Sequence, residues 1–207
     1  MSLASSLKLQ AWLSPAFPTG GFAYSHGIEW AVQAGDVRDA ATAGAWIEDA
    51  MRLGTGRSDA ILLRAAHAGA PVADLARAVA TSAERLLETA SQGEAFAAAS
   101  RAWGGSPGEN PYPVAVGRLA AAHGIGADAT VAAYLQGFAG NLISAAVRLV
   151  PLGQSAGLAV LASLAPVILA VTEETREAGI DDLGTGCFRA EIAAMRHETQ
   201  YTRLFRT

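Results

Sequence analysis

Between Asp128 and Leu149 the apolar residues Val131, Leu135, Phe138, Leu142 and Ala145 recur every three or four positions. That spacing lines one face of a helix, whereas a half-buried strand would alternate with period two. The rest of the chain repeats the theme. No segment alternates apolar and polar residues for more than a few positions, and Gly and Pro punctuate the apolar runs. Much of the 51% hydrophobic share is alanine, the best helix former and a poor strand former. The expected fold is therefore all-α: one domain over residues 1–207, a bundle of roughly eight to ten helices packed ridge into groove. A chain of 207 residues is long enough for one well-buried core.

Helix boundaries follow from the punctuation. Leu3, Leu7 and Leu13 lie near one face of a first helix, beside Trp12. Ser14 to Phe22 holds two prolines and two glycines, which force an extended, turning path. The next helix carries Ile28, Trp30 and Ala31 to Gly35. Asp39 can cap a third, with Ala43, Trp46, Ile47 and Ala50 inward and Gly54 closing it. Asp59 begins a fourth, through Ile61, Leu62 and His67 to Gly69, and Pro71 opens another. Thr81 and Glu84 have capping-box spacing, after which Leu86, Leu87, Ala90 and Phe96 continue the apolar face. Gly104 to Pro113 is a long loop, and Pro113 starts the helix bearing Val116, Leu119 and Ala120.

One stretch tests the absence of a membrane span. The twenty-four residues from Leu149 to Thr172 carry no charge, which is enough to cross a bilayer. They also contain Pro151, Gly153, Gln154, Ser155, Gly157, Ser163 and Pro166. The expected structure there is two buried helices meeting at a turn, with a small membrane protein as the alternative.

Charge and cysteine content narrow the function. A formal charge of −4 and a pI near 5.5 argue against nucleic acid, which needs a concentrated basic face. The single cysteine, Cys187, cannot form an internal disulfide, which fits a reducing compartment. Lys8 is misplaced for a signal peptide and no long apolar core follows it, so the expected location is cytoplasmic. With only 16% charged residues, exposed Ala and Leu faces are expected, covered in an oligomer or complex.

A search for reactive groups returns little. His197-Glu198 opens like a zincin motif, but Tyr201 stands where the second metal-binding histidine is needed. Cys187 and His197 are too sparse a pair for a metal site, and a lone Cys is usually a small buried hydrophobe. Ser25-His26 lacks the elbow of a nucleophilic serine, and Thr19-Gly20-Gly21 lacks the lysine of a phosphate loop. His67 and His123 suit helix C-termini, where the partial negative charge favours imidazolium. The adjacent acids Glu48-Asp49, Glu173-Glu174 and Asp181-Asp182 point about 100° apart on a helix and read as solvated faces. The expectation is an interaction protein without a catalytic residue, a bound metal or a cofactor of its own. The enzymatic alternative is a metal-dependent hydrolase using His26, Cys187 and His197.

The tail from about residue 190 to 207 stands apart. From Arg189 onward, four arginines against two glutamates give it +2, leaving −6 for the remainder. It interleaves arginine with Tyr201, Leu204 and Phe205, the residue types that dominate interface energetics. Composition leaves two readings open: an arm that docks on a partner, or a last segment folded onto its own domain.

Three blocks together resemble the UreF family of urease accessory proteins. The first, Ser14-Pro-Ala-Phe-Pro-Thr-Gly-Gly-Phe-Ala-Tyr-Ser-His-Gly-Ile-Glu-Trp30, is similar to the family's Ser-Pro-x-x-Pro-x-Gly-x-Phe-x-Tyr-Ser-x-Gly-Leu-Glu signature. The second is Asn141 to Gln154, whose Leu149-Val-Pro-Leu-Gly-Gln154 is similar to the family's Pro-Leu-Gly-Gln corner, and the third, the most specific, is Ala194 to Arg206. Ile28, His26 and Thr207 depart from the usual Leu, Gln and Ser. The resemblance implies a non-enzymatic all-α scaffold that bridges UreD (also called UreH) to the GTPase UreG. The complex then delivers nickel to apo-urease, with GTP bound and hydrolysed by UreG. It further implies a homodimer whose tail docks into UreD. Carried over onto matching positions, Tyr24, Glu29, His197, Glu198, Arg203 and Arg206 are its polar partner-binding residues. Tyr201, Leu204 and Phe205 supply apolar anchoring. Tyr24 and Glu29 would hold the tail's arginines or meet UreG, or Glu29 would pair with a tail arginine inside the monomer. Pro15, Pro18, Gly20 and Gly21, like Pro151, Gly153 and Gln154, set loops.

Overall fold

The structure, a computed structural model, describes residues 2–105 and 108–207. Ser106 and Pro107, inside the expected loop 104–113, lie outside the described residues. Among the described residues there are eleven α-helices and no strand. They are α1 (Leu3–Trp12), α2 (Ile28–Gln33), α3 (Ala40–Arg52), α4 (Thr55–His67), α5 (Ala73–Ala78) and α6 (Ala83–Ser100). The rest are α7 (Tyr112–Ala122), α8 (Ala127–Leu149), α9 (Gln154–Ser163), α10 (Ala165–Glu174) and α11 (Phe188–His197). Only α2 and α5 are as short as six residues; the other nine match the expected number.

The core forms around α8. Val131, Leu135, Leu142 and Ala145 are buried on the stripe their spacing predicts, the first three in one cluster with Trp12, Ile47 and Phe96. Helices α4 and α7 pack closely because Gly117 has no side chain: a Cβ there would fall 2.4 Å from the Leu63 carbonyl oxygen. Arg64 ties three helices, donating to the Thr172 carbonyl at 2.7 Å and pairing with Asp128 at 2.8 Å.

Several boundaries differ from expectation. Asp39 does cap α3, its carboxylate accepting from Thr42 N at 2.8 Å, and Gly35 and Gly69 take φ of +80° and +90° after their helices. Gly54, however, precedes α4 rather than closing α3, so Asp59 lies inside α4. Its carboxylate is not a cap: it accepts from the Tyr134 hydroxyl at 2.7 Å. Ser82, not Thr81, caps α6, accepting from Arg85 N at 3.1 Å. Pro71 lies two residues ahead of α5, and Pro113 is the second residue of α7. Both expected histidine positions hold, with His67 ending α4 and His123 capping α7. Yet burial, with the Lys8 ammonium beside it, moves the His123 pKa down, so it accepts from Lys8 rather than carrying charge.

Two faces are reversed. Helix α1 buries Leu9 and Trp12 and leaves Leu3 and Leu7 exposed. In the first half of α6, Leu86 and Leu87 face solvent, while Glu84, Arg85, Glu88 and Gln92 are buried. The turn expected within 149–172 exists at Pro151–Gly153, where Gly153 takes φ +72°, and α8 and α9 pack across it. Of the two helices that follow, α10 buries Val167, Ile168, Val171 and Thr172 as expected, whereas α9 buries only Gly157. Pro166 sits in the first turn of α10, where no amide hydrogen is needed, so the run is interrupted only at Leu164.

Candidate functional site

The reversed face of α6 is where the site begins. Its buried polar residues fall three and four positions apart and so form one stripe. A second contribution comes from the Pro/Gly segment before α2. Gly20 takes φ +73°, and at Gly21 a Cβ would lie 2.7 Å from the Asn141 side-chain nitrogen, so this loop folds tightly over α8. It leads to His26 at φ +51°, a left-handed conformation unusual for a residue with a side chain. That turn aims the imidazole at Glu88, with Nε2 2.8 Å from the carboxylate and the ring edge-on to Phe138. Helix α2 starts immediately afterwards and places Glu29 in its first turn, buried.

Two linked clusters result. In the first, His197 is fully buried at the end of α11, with Nδ1 2.8 Å from Glu84 and Nε2 3.1 Å from Glu29. Glu29 also accepts the backbone amides of Leu204 at 2.6 Å and Phe205 at 2.9 Å. Arg203 completes the set, 3.0 Å from Glu84. The tail is then held by its backbone, Arg206 N donating to Ala23 O at 2.8 Å and Ser25 N to Thr207 O at 2.6 Å. Phe205 is buried beneath the Arg148 guanidinium, which lies 4.3 Å from its ring centroid.

In the second cluster Arg85 lies 2.6 Å from Glu88 and 3.8 Å from Asp59, and Gln92 donates to Glu88 at 2.9 Å. The Thr207 hydroxyl reaches Glu88 at 3.4 Å and so joins the tail to this cluster. Burial opposes the Glu88 charge, but Arg85 and then His26 outweigh it and bring the carboxyl down to about 2. Burial dominates at Asp59, raising its pKa against the pull of Arg85 and the Tyr134 hydrogen bond. Burial and the neighbouring Asp59 likewise push the Tyr134 hydroxyl well above its ordinary value.

A pH dependence follows with a definite sign. Glu88 holds its proton less tightly in the fold than in the unfolded chain, so its contribution is present above its ordinary 4.5 and is lost as pH falls toward about 2. Asp59, shifted upward, acts in the opposite direction and softens the loss. Urea midpoints should fall between pH 4.5 and 2, and Glu88→Gln should flatten that acid limb. An unchanged limb in the variant would remove Glu88 from the account.

The expected site residues are only partly gathered. Glu29, His197, Arg203, Leu204 and Phe205 converge through side chains or backbone amides. Tyr24 is buried in the loop beside them. Glu29 does not pair with a tail arginine: its oxygens are occupied by His197 and two amides, and Arg203 goes to Glu84 instead. Glu198 accepts from Ala83 N at 2.9 Å, closing the start of α6. Tyr201, Leu204 and Arg206 keep their side chains in solvent. Pro15 and Gly21 line a cavity with the second cluster, and Gln154 opens α9. The three hydrolase candidates do not gather: His26 faces Glu88 and lines a cavity with Cys187, while His197 faces Glu29 and Glu84. Burial raises the Cys187 thiol. Among the described residues no three His, Cys, Asp or Glu side chains are grouped to hold a metal. Sequence reasoning missed Asp59, Glu84, Arg85, Glu88, Gln92 and Tyr134.

Fold and site together define an all-helical bundle that closes its own C-terminal arm over a buried network of ion pairs. Comparison with known proteins places that class in a family. The UreF family model matches residues 37–165. A urease accessory protein UreF from Roseobacter denitrificans is 52% identical, covering 100% of this chain and 96% of its own length. One from Cereibacter sphaeroides is 53% identical with 99% of each chain covered. Another from Methylorubrum populi is 47% identical over 99% of this chain and all of its own. The chain belongs to the UreF family of urease accessory proteins.

Proposed function

We propose that this chain is a non-enzymatic scaffold of urease maturation, bridging UreD (UreH) to the GTPase UreG while nickel is inserted into apo-urease. It acts in the cytoplasm as a homodimer and binds no cofactor itself; nickel is the cargo of the complex and GTP belongs to UreG. Family membership supports the urease context. The observation that carries the docking role is the division of labour along the arm. Backbone amides, Phe205 and His197 fix it to the body, while Tyr201 and Leu204 stay 103% and 59% exposed. Beside them runs a groove of about 580 Å³ lined by Ala83, Glu84, Leu87, Glu198, Arg203 and Arg206. Aromatic and aliphatic groups rimmed by arginine, prepaid in conformation, make a docking surface with little ordering cost.

Co-purification from cells expressing UreD tests the reading. A chain truncated after His197 should remain helical by circular dichroism and lose UreD. Undiminished recovery of UreD with the truncated chain would refute docking through the arm.

A further inference from the structure

The single lysine of the chain points from α1 at an imidazole, with Lys8 Nζ 2.8 Å from His123 Nδ1. An ammonium can only donate, so Nδ1 presents its lone pair and the ring is neutral. His123 caps the C-terminus of α7, where the helix dipole ordinarily favours a charged ring. Its pKa is nevertheless held below the ordinary 6.5, by burial first and then by the Lys8 charge. Ionisable groups on the neighbouring elements are engaged elsewhere. Arg118 of α7 donates to Asn110, His67 of α4 contacts the Ile125 carbonyl, and Asp128 of α8 is shared by Arg64 and Arg176.

The rest of α1 is lightly seated. Leu9 and Trp12 are buried, whereas Leu3 and Leu7 are 79% and 59% exposed. The Trp12 ring packs against His123 at 5.1 Å between centroids. Its indole Nε1 is buried with no hydrogen-bond partner among the described residues, which opposes its own burial. Beyond α1 the chain passes over the second cluster, and Leu13, Ser14 and Pro15 form part of the wall of the cavity there. Phe17 then anchors the chain, its ring 5.4 Å from Phe96 and 5.5 Å from Trp103.

We propose that α1 is an acid-sensitive lid on this cavity, with Lys8 and His123 as its latch. When Nδ1 takes a proton the acceptor is lost, and two cations face each other across the former hydrogen bond. The direction is fixed by linkage. Seating α1 lowers the proton affinity of His123, so the seat is complete above the ordinary 6.5 and is lost as pH falls below it. Opening is confined by Phe17, which places the hinge near Pro15. It withdraws Leu13 and Ser14 from the wall and admits water to His26 and Glu88, which line the same cavity. The latch shares no residue with the arm or its clamp, so the lid is independent of docking.

Hydrogen–deuterium exchange of the full chain, resolved by NMR and corrected for intrinsic rates, tests the lid between about pH 8 and about pH 5. That range stays above 4.5, where the loss of the Glu88 contribution begins. Relative to the body of the bundle, α1 amides should exchange roughly three- to tenfold faster at the acid end, the size of one lost hydrogen bond. The Tyr112 amide, which donates to Thr89 in the cavity wall, should accelerate with them. Lys8→Gln is the decisive variant. A side-chain amide donates to the neutral ring and accepts from the charged one, so the pH dependence should vanish with helix content unchanged. Lys8→Met should leave α1 exchanging fast at both pH values. An acid response in Lys8→Gln equal to that of wild type would overturn the proposal, as would a wild-type α1 equally protected throughout. Faster exchange of α1 with an unchanged Tyr112 amide would overturn the lid. Acceleration spread evenly over the whole bundle would replace it with global destabilisation.

Discussion

Replacing Glu29 with Ala should destabilise the protein by about 3–5 kcal/mol, the cost of removing one partner from a buried charged network. Its two oxygens accept His197 Nε2 and the amides of Leu204 and Phe205. While the arm stays seated, the buried His197 ring and Phe205 amide, and the part-buried Leu204 amide, would lose this acceptor. The arm should leave first. Trypsin should therefore cut after Arg196 or Arg203 well before the body of the bundle unfolds. Glu29→Gln, which keeps the shape and some acceptor capacity, should cost less than Glu29→Ala. Equal urea midpoints for wild type and Glu29→Ala would show that the carboxylate does not hold the arm.

Arg85→Met should be comparably severe, about 3–5 kcal/mol, for the opposite reason. The guanidinium lies 2.6 Å from Glu88 and 3.8 Å from Asp59, both buried. Without it, Glu88 keeps among the described residues His26, Gln92 and a long contact to Thr207, and the depressed pKa of Glu88 loses its main favourable cause. Adding Glu88→Gln should restore part of the loss, because a neutral pair no longer strands a charge. A double-mutant cycle on Arg85 and Glu88 should give a coupling of at least about 2 kcal/mol. Additive losses would mean that the two side chains act independently.

The architecture was legible because α8 obeys the simplest rule: apolar residues on one stripe, buried as a set. The same rule misplaced α6. There Leu86 and Leu87 attract attention as core residues, but the inward stripe is Glu84, Arg85, Glu88 and Gln92. Periodicity locates a face without saying which face is buried when ion pairs can satisfy the polar one. The signal was present in the three- and four-residue spacing of those polar side chains. What the sequence lacked was their partners, since Asp59, Tyr134 and His197 arrive from remote segments. Asp59 was misread as a helix start for the same reason: a local cap and a long-range acceptor look alike in one dimension. α9 failed differently. Its uncharged run is core-like in composition, yet composition alone does not fix how much of a run is buried.

Of the tail's two readings, the structure shows the fold onto its own domain. Phe205, Thr207 and His197 fold onto the body, whereas Tyr201, Leu204 and Arg206 face outward. The arginine expected to meet Glu29 goes to Glu84 because the Glu29 oxygens are already taken by the turning backbone at Leu204 and Phe205.

The central claim is that the arm is clamped from within so that its outward side chains can be presented. The most direct measurement is the dissociation constant for UreD of the full chain carrying Tyr201→Ala and Leu204→Ala together. Both side chains are exposed, so folding stability should stay within about 0.5 kcal/mol of wild type. Affinity should fall at least about a hundredfold, as for the anchors of an interface. An unchanged dissociation constant in that stably folded variant would contradict the account.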